Sequence, residues 1–176
     1  MQIPTLIRPT IYLDMDGVLF DFDAHFEKIH GKPTAAVDDG ELWRAIAARK
    51  TFFRELPLTP EARDLFQEAR YVAELRGYDF KVLTALAKSD HMDMAVVKRQ
   101  KLAALRDAFP KSDVPMLVGP FSADKWKHCR CSLDLLIDDR LSNVRDWTTK
   151  GGGRAIQHVT GQLAPTLTNL YAFTGA

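Results

Sequence analysis

The chain has 176 residues, enough for one core domain with a small insertion, and its 46% hydrophobic content can fill a sizeable core. A formal net charge of +1 gives no electrostatic reason to expect a polyanion or a membrane surface as partner. Two cysteines, Cys129 and Cys131, are too few and too close for a disulfide framework, which points to an intracellular, cytoplasmic protein.

The first ten residues carry Pro4 and Pro9 and no long apolar run, so they read as neither a signal peptide nor a transmembrane helix. A strand is expected at 10–14, from Ile11, Tyr12 and Leu13. It runs directly into Asp14 and Asp16, one residue apart, and then Gly17. A strand interior excludes unpaired Asp because burying the charge is costly, so two at a strand end mark a site. Short helices are expected at 22–30 and 40–49, around a break at Gly31, Lys32 and Pro33. This stretch is rich in aromatics: Phe22, Phe26, Trp43, Phe52 and Phe53.

Beyond it, apolar residues at helical spacing (Ala62, Leu65, Phe66, Ala69, Val72, Ala73) predict a helix over 60–77. Thr59 is its expected N-cap, Pro60 its first residue and Gly77 its C-terminal stop. Strands follow at 80–84, 114–118, 133–137 and 154–159, separated by helices at 91–109, 122–130 and 141–150. Alternating strands and helices imply right-handed crossovers. The expected architecture is α/β: a three-layer, Rossmann-like parallel sheet with a small helical cap inserted after the first strand. Residues 1–21 and 57–176 would form the core and residues 22–56 the cap.

In such a sheet the C-terminal strand ends share one edge, where ligands bind. That edge would gather Asp14 and Asp16 from the first strand, Thr84 from the second, Lys125 from the helix after the third, and Asp138 and Asp139 from the fourth. Two unit charges about 4 Å apart cost roughly 4 kcal/mol at an effective dielectric near 20, so four carboxylates need a cation. All-oxygen ligands suit a hard ion, Mg²⁺ where phosphate completes the shell, and no thiolate or imidazole at these ends favours Zn²⁺. Thr84 and Lys125 can supply a hydrogen bond and a positive charge to phosphate oxygens. One carboxylate can attack phosphorus while another carries a proton for the leaving oxygen, which makes phosphoryl transfer the indicated chemistry. Along an extended chain, side chains two apart point alike, so Asp14 and Asp16 both face the substrate if the strand geometry lasts that far.

These residues resemble the signature of the haloacid dehalogenase superfamily of phosphohydrolases. That signature is Asp-x-Asp-Gly followed by Val or Thr after the first strand, Thr or Ser after the second, Lys before a helix and an acidic pair after the fourth. The resemblance implies Asp14 as nucleophile and Asp16 as general acid and then base. It implies Mg²⁺ held by Asp14, the Asp16 backbone carbonyl and Asp138, with Asp139 assisting, and Thr84 and Lys125 on the phosphoryl group. Within the superfamily the chain looks most like the 5′(3′)-deoxyribonucleotidases, through residues 14–22, 52–57 and 135–140. The likeness spans about residues 11–141. It implies a nucleobase pocket walled by Phe22, Phe52 and Phe53, and a nucleoside monophosphate as the small-molecule phosphomonoester. A homodimer is compatible with this reading, a membrane is not expected, and the near-neutral charge disfavours nucleic acid.

The chain departs from that family where Ala85 and Leu86 follow Thr84 in place of the usual Ser and Pro, removing one phosphate or sugar contact. Lys98 roughly matches a basic family position and reads as a solvated helix lysine. Other small phosphoesters, nucleic-acid terminal phosphates and a non-catalytic phosphate-binding module are the alternative functions. His128, Cys129 and Cys131 lack a second ligand pair for structural zinc. Gly151, Gly152 and Gly153 lack the Lys and Ser/Thr of a phosphate loop and read as a turn. Asp134 reads as structural, and His25, His30, His91 and His158 as ordinary surface or core residues.

Overall fold

The computed structural model describes residues 7–86, 92–110, 112–119 and 121–173. Five strands, β1 (Thr10–Leu13), β2 (Asp79–Ala85), β3 (Met116–Gly119), β4 (Leu135–Asp138) and β5 (Arg154–Gln157), form one sheet in the order β3-β2-β1-β4-β5. All four pairings are parallel. Ile11, Leu13, Val82, Leu83, Leu135, Leu136 and Ile137 are essentially inaccessible, as expected for parallel strands covered on both faces. The expected three-layer α/β sheet is observed.

Between β1 and β2 the chain forms α1 (Phe22–His30), a 3-10 turn (Thr34–Ala36), α2 (Asp39–Ala48), a second 3-10 turn (Phe52–Arg54) and α3 (Ala62–Arg76). Asp21 and Asp38 cap α1 and α2 by accepting from Ala24 N (3.0 Å) and Glu41 N (2.8 Å). Gly31 ends α1 in the left-handed region, as Gly77 ends α3. The entry and exit of segment 22–56 lie side by side, since Phe20 bridges Leu58 and Asp21 N donates to Pro57 O. Its Phe26, Ile46, Phe52 and Phe53 join the same apolar cluster as Ile11, Leu13 and Val82.

Thr59 does not cap α3. Its hydroxyl donates to Val18 O (2.8 Å), tying the turn after β1 to the start of α3, and the helix begins at Ala62 after Glu61. The remaining helices are α4 (Met94–Ala108), α5 (Leu141–Thr149) and α6 (Leu163–Phe173), with a 3-10 helix at Ser122–His128. The expected start of α4 at His91 lies outside the described residues, and Asp93 caps the observed helix. α6 has no counterpart among the expected elements. Among the described residues no helix is long and apolar enough to cross a membrane.

Two buried polar groups fasten the periphery to the sheet. Asp134 accepts from Thr10 N (2.7 Å), Arg130 N (2.6 Å) and Cys131 N (3.2 Å), so its role is structural. Gly151 and Gly153 are more than a turn. A Cβ on Gly153 would lie 2.5 Å from Trp147 Nε1 and 2.7 Å from Cys129 Sγ, so the chain can pass there only without a side chain. His158, fully buried, lies between Thr166 Oγ1 (2.9 Å) on α6 and Glu61 Oε1 (3.2 Å) at the start of α3.

Burial holds the His158 imidazole below its ordinary value, although Glu61 pulls the other way. Below about pH 6.5 the unfolded chain therefore binds a proton that the native protein resists, and stability falls as pH drops through that window. We expect the melting temperature of the wild type to fall more steeply than that of His158→Gln between about pH 6.5 and 5. Parallel slopes would contradict this.

Candidate active site

β1 lies at the centre of the sheet, with β2 and β4 as its neighbours, so the ends of these three strands are adjacent. The pairing continues one residue past β1, where Asp14 N donates to Ile137 O (2.9 Å). Asp14 is thereby held beside Asp138, the last residue of β4, and Thr84 stands near the end of β2. All three are 4% exposed or less. The 3-10 helix after β3 delivers Lys125, which is equally buried.

Lys125 Nζ lies 2.6 Å from Asp14 Oδ1 and 2.7 Å from Asp138 Oδ2. Burial alone would pull this ammonium down, but Asp14 and Asp138 outweigh it and hold the group charged, above the usual lysine range. Asp138 also accepts from Arg140 N (2.9 Å) and from Asn143 Nδ2 (3.0 and 3.1 Å). Asn143, on the first turn of α5, is in turn hydrogen-bonded to Ser122. It fixes Asp138 and was not anticipated from sequence, because a single Asn near a helix start reads as ordinary capping material.

Asp14, Asp138 and Asp139 each offer an oxygen within 4.8 Å of the others. Burial pushes the Asp14 carboxyl well above the usual range; Lys125 opposes this, while Asp138, Asp139 and Asp16 add to it. Asp139 is pushed up to about 6 by burial and by Asp138. Its Oδ1 is buried with no hydrogen-bond partner among the described residues. Clustered carboxyls with raised proton affinity and an orphaned oxygen fit a hard divalent cation, which would relieve the same uncompensated charge.

Asp16 stands apart from that trio. β1 ends at Leu13, and Gly17 turns the chain with φ +79°. The Asp16 carboxylate is paired with Lys101 through Oδ2, while its Oδ1 is buried without a partner among the described residues. Lys101 Nζ also donates to Thr84 Oγ1 (2.9 Å) and Ala85 O (2.8 Å), so Thr84 enters the site through this ammonium. Sequence reasoning missed Lys101. The available signal was its place on the apolar stripe of α4, where Val97, Lys101, Ala104 and Leu105 are the buried residues. Lys98 is exposed, as expected.

Phe22, Phe52 and Phe53 do come together, with ring centroids 5.4 Å (Phe22–Phe52), 6.4 Å (Phe22–Phe53) and 5.2 Å (Phe52–Phe53) apart. The Phe53 ring centre is 5.0 Å from Lys101 Nζ, which puts the aromatic group beside the Asp16 half of the site. Phe52 and Phe53 are 1% exposed, and Phe22 is the partly open member.

Among solved structures, the chain aligns with a dehalogenase at TM-score 0.52 and 12% identity, covering 97% of this chain and 98% of that one. It aligns with L-2-haloacid dehalogenase from Xanthobacter autotrophicus at TM-score 0.50 and 12% identity, covering 96% and 88%. CbbY from Rhodobacter sphaeroides, solved with phosphate, aligns over 87% of both chains at 16% identity and TM-score 0.46. No family model matches the sequence, and no curated protein does. The chain shares its fold with the two dehalogenases.

Gly17 gives the site its closest tolerance. A Cβ there would sit 2.5 Å from Asp139 Oδ2, and its positive φ strains any other residue. Gly17→Ala should displace Asp139 and destabilise the protein by more than about 1 kcal/mol. An unchanged melting temperature, read by calorimetry, would refute the packing described.

Proposed function

We propose that the chain is a Mg²⁺-dependent phosphatase that hydrolyses nucleoside monophosphates, deoxynucleotides among them, to nucleoside and phosphate through an aspartyl-phosphate. The observation that carries this reading is the bridging of Asp14 and Asp138 by Lys125 at the sheet edge, with Asp16 held separately. Two carboxylates in different electrostatic company suit different roles.

In this reading an Asp14 oxygen bonds to phosphorus as the ester P–O bond breaks, and Asp16 gives its proton to the departing oxygen. Asp16 then takes a proton from water as the water oxygen attacks phosphorus. The bond from phosphorus to Asp14 breaks and phosphate leaves. Lys125 holds Asp14 in place and, with Thr84, meets the phosphoryl oxygens. Mg²⁺ would be held by Asp14, Asp138, the Asp16 carbonyl and Asp139, and it would supply positive charge to the phosphoryl group.

Residues 22–56 serve as a small cap, and Phe22, with Phe52 and Phe53 behind it, offers an aromatic wall to a base. The near-complete burial of Phe52 and Phe53 favours one second reading, a smaller phosphomonoester that needs no base pocket.

A panel of ribo- and deoxynucleoside monophosphates, 5′ and 3′, beside small sugar phosphates tests both. We expect phosphate release from nucleotides with Mg²⁺, none after chelation, and recovery when Mg²⁺ is restored. Release from sugar phosphates alone would select the second reading, and release from no monophosphate would overturn both. Asp14→Asn should abolish turnover, and Asp16→Asn should lower it by about 10²–10⁴-fold, the usual worth of a general acid.

A further inference from the structure

We infer that Lys101 is a positioning residue for the proton-transfer step, anchoring one oxygen of Asp16 so that the other faces the leaving group. The inference rests on the phosphatase reading above and deepens it.

An ammonium group has three N–H donors, and those of Lys101 are matched by three acceptors: Asp16 Oδ2, Thr84 Oγ1 and Ala85 O. No proton is left over for a phosphoryl oxygen, so Lys101 differs in kind from Lys125. It is 1% exposed, and the face of the Phe53 ring closes over it at 5.0 Å. A lysine loses considerable side-chain entropy when buried and is rarely buried without a specific partner. Here the partners are the two groups whose mutual placement proton transfer requires, Asp16 and the strand end carrying Thr84.

The anchor also answers a problem of like charge. Asp16 is two residues from Asp14, and Asp14 already shares its surroundings with Asp138 and Asp139. A freely rotating Asp16 carboxylate would be drawn toward any cation held by those three. Pairing Oδ2 with Lys101 keeps it out of that cluster and leaves Oδ1, which has no partner among the described residues, as the oxygen able to exchange a proton with substrate. The lysine is itself placed by contacts between α4 and the segment before α3: Gln100 Nε2 donates to Lys50 O (2.6 Å), and Arg54 pairs with Asp107. The acid is thus oriented from the same helix that the 22–56 segment rests on.

Proton delivery matters most when the leaving oxygen is a poor leaving group, as in an alkyl or nucleoside phosphate, and least for nitrophenolate. We expect Lys101→Met to lower turnover of an alkyl or nucleoside monophosphate by about 10²-fold or more, within the range of general-acid effects, while p-nitrophenyl phosphate loses less than about tenfold. Lys101→Arg, which keeps the charge but cannot bring one nitrogen to all three acceptors, should show the same selectivity with a smaller loss, and it carries the test if the Met variant fails to fold. Equal losses on both substrates, or no loss on either, would overturn the positioning role while leaving the phosphatase reading intact. A wild type that hydrolyses neither substrate would overturn the phosphatase reading and this inference with it.

Discussion

Four carboxylates gathered at one buried edge of a sheet must be neutralised, and much of the surrounding structure follows from how this is done. At full ionisation Asp14, Asp16, Asp138 and Asp139 face two ammonium groups, Lys125 and Lys101, which leaves two negative charges uncompensated. The elevated proton affinities of Asp14 and Asp139 express that residual charge. A divalent cation would offset it, since a buried pocket of oxygen donors is where such an ion gains most from electrostatic attraction. The two lysines are unlike in position. Lys125 ties the β1 and β4 ends together beside Asp14 and Asp138, and Lys101 holds Asp16 on the β2 side.

The supporting residues are those that let charged groups approach closely. Gly17 clears space for Asp139, Asn143 and the Arg140 amide hold Asp138, and the hydroxyl of Thr59 pins the turn that follows β1. Each satisfies or admits a polar group that would be expensive to bury alone. Segment 22–56 contributes through packing. Its Phe53 shields Lys101, and its apolar residues continue the core of the sheet, so its placement and that of Asp16 depend on the same contacts.

The strand ends were legible because chemistry and periodicity disagreed there. Asp14, Thr84 and Asp138 terminate apolar runs, where no packing role accounts for a polar residue, and the structure brings all three to one edge with Lys125. Lys101 gave a weaker signal. On an amphipathic helix one lysine looks much like the next, and only the phase of the apolar stripe separates buried Lys101 from exposed Lys98. Thr59 resembled a cap because its position before Pro60 fits that role, but the tertiary bond to Val18 O takes its hydroxyl. α6 escaped notice because Pro165, Thr166 and Thr168 blur its helical pattern, and its place is set by packing and by Thr166 against His158. The direction of the Asp16 side chain depends on the turn at Gly17, which spacing alone does not determine.

The central claim is that Asp14, held by Lys125, is the group that takes the phosphoryl from substrate. Acid-quenching the protein during Mg²⁺-supported turnover and mapping the phosphorylated peptide by mass spectrometry tests it most directly. The account predicts an acyl phosphate on Asp14, absent from Asp14→Asn. Phosphate on another residue, or steady turnover with none on Asp14, would contradict it.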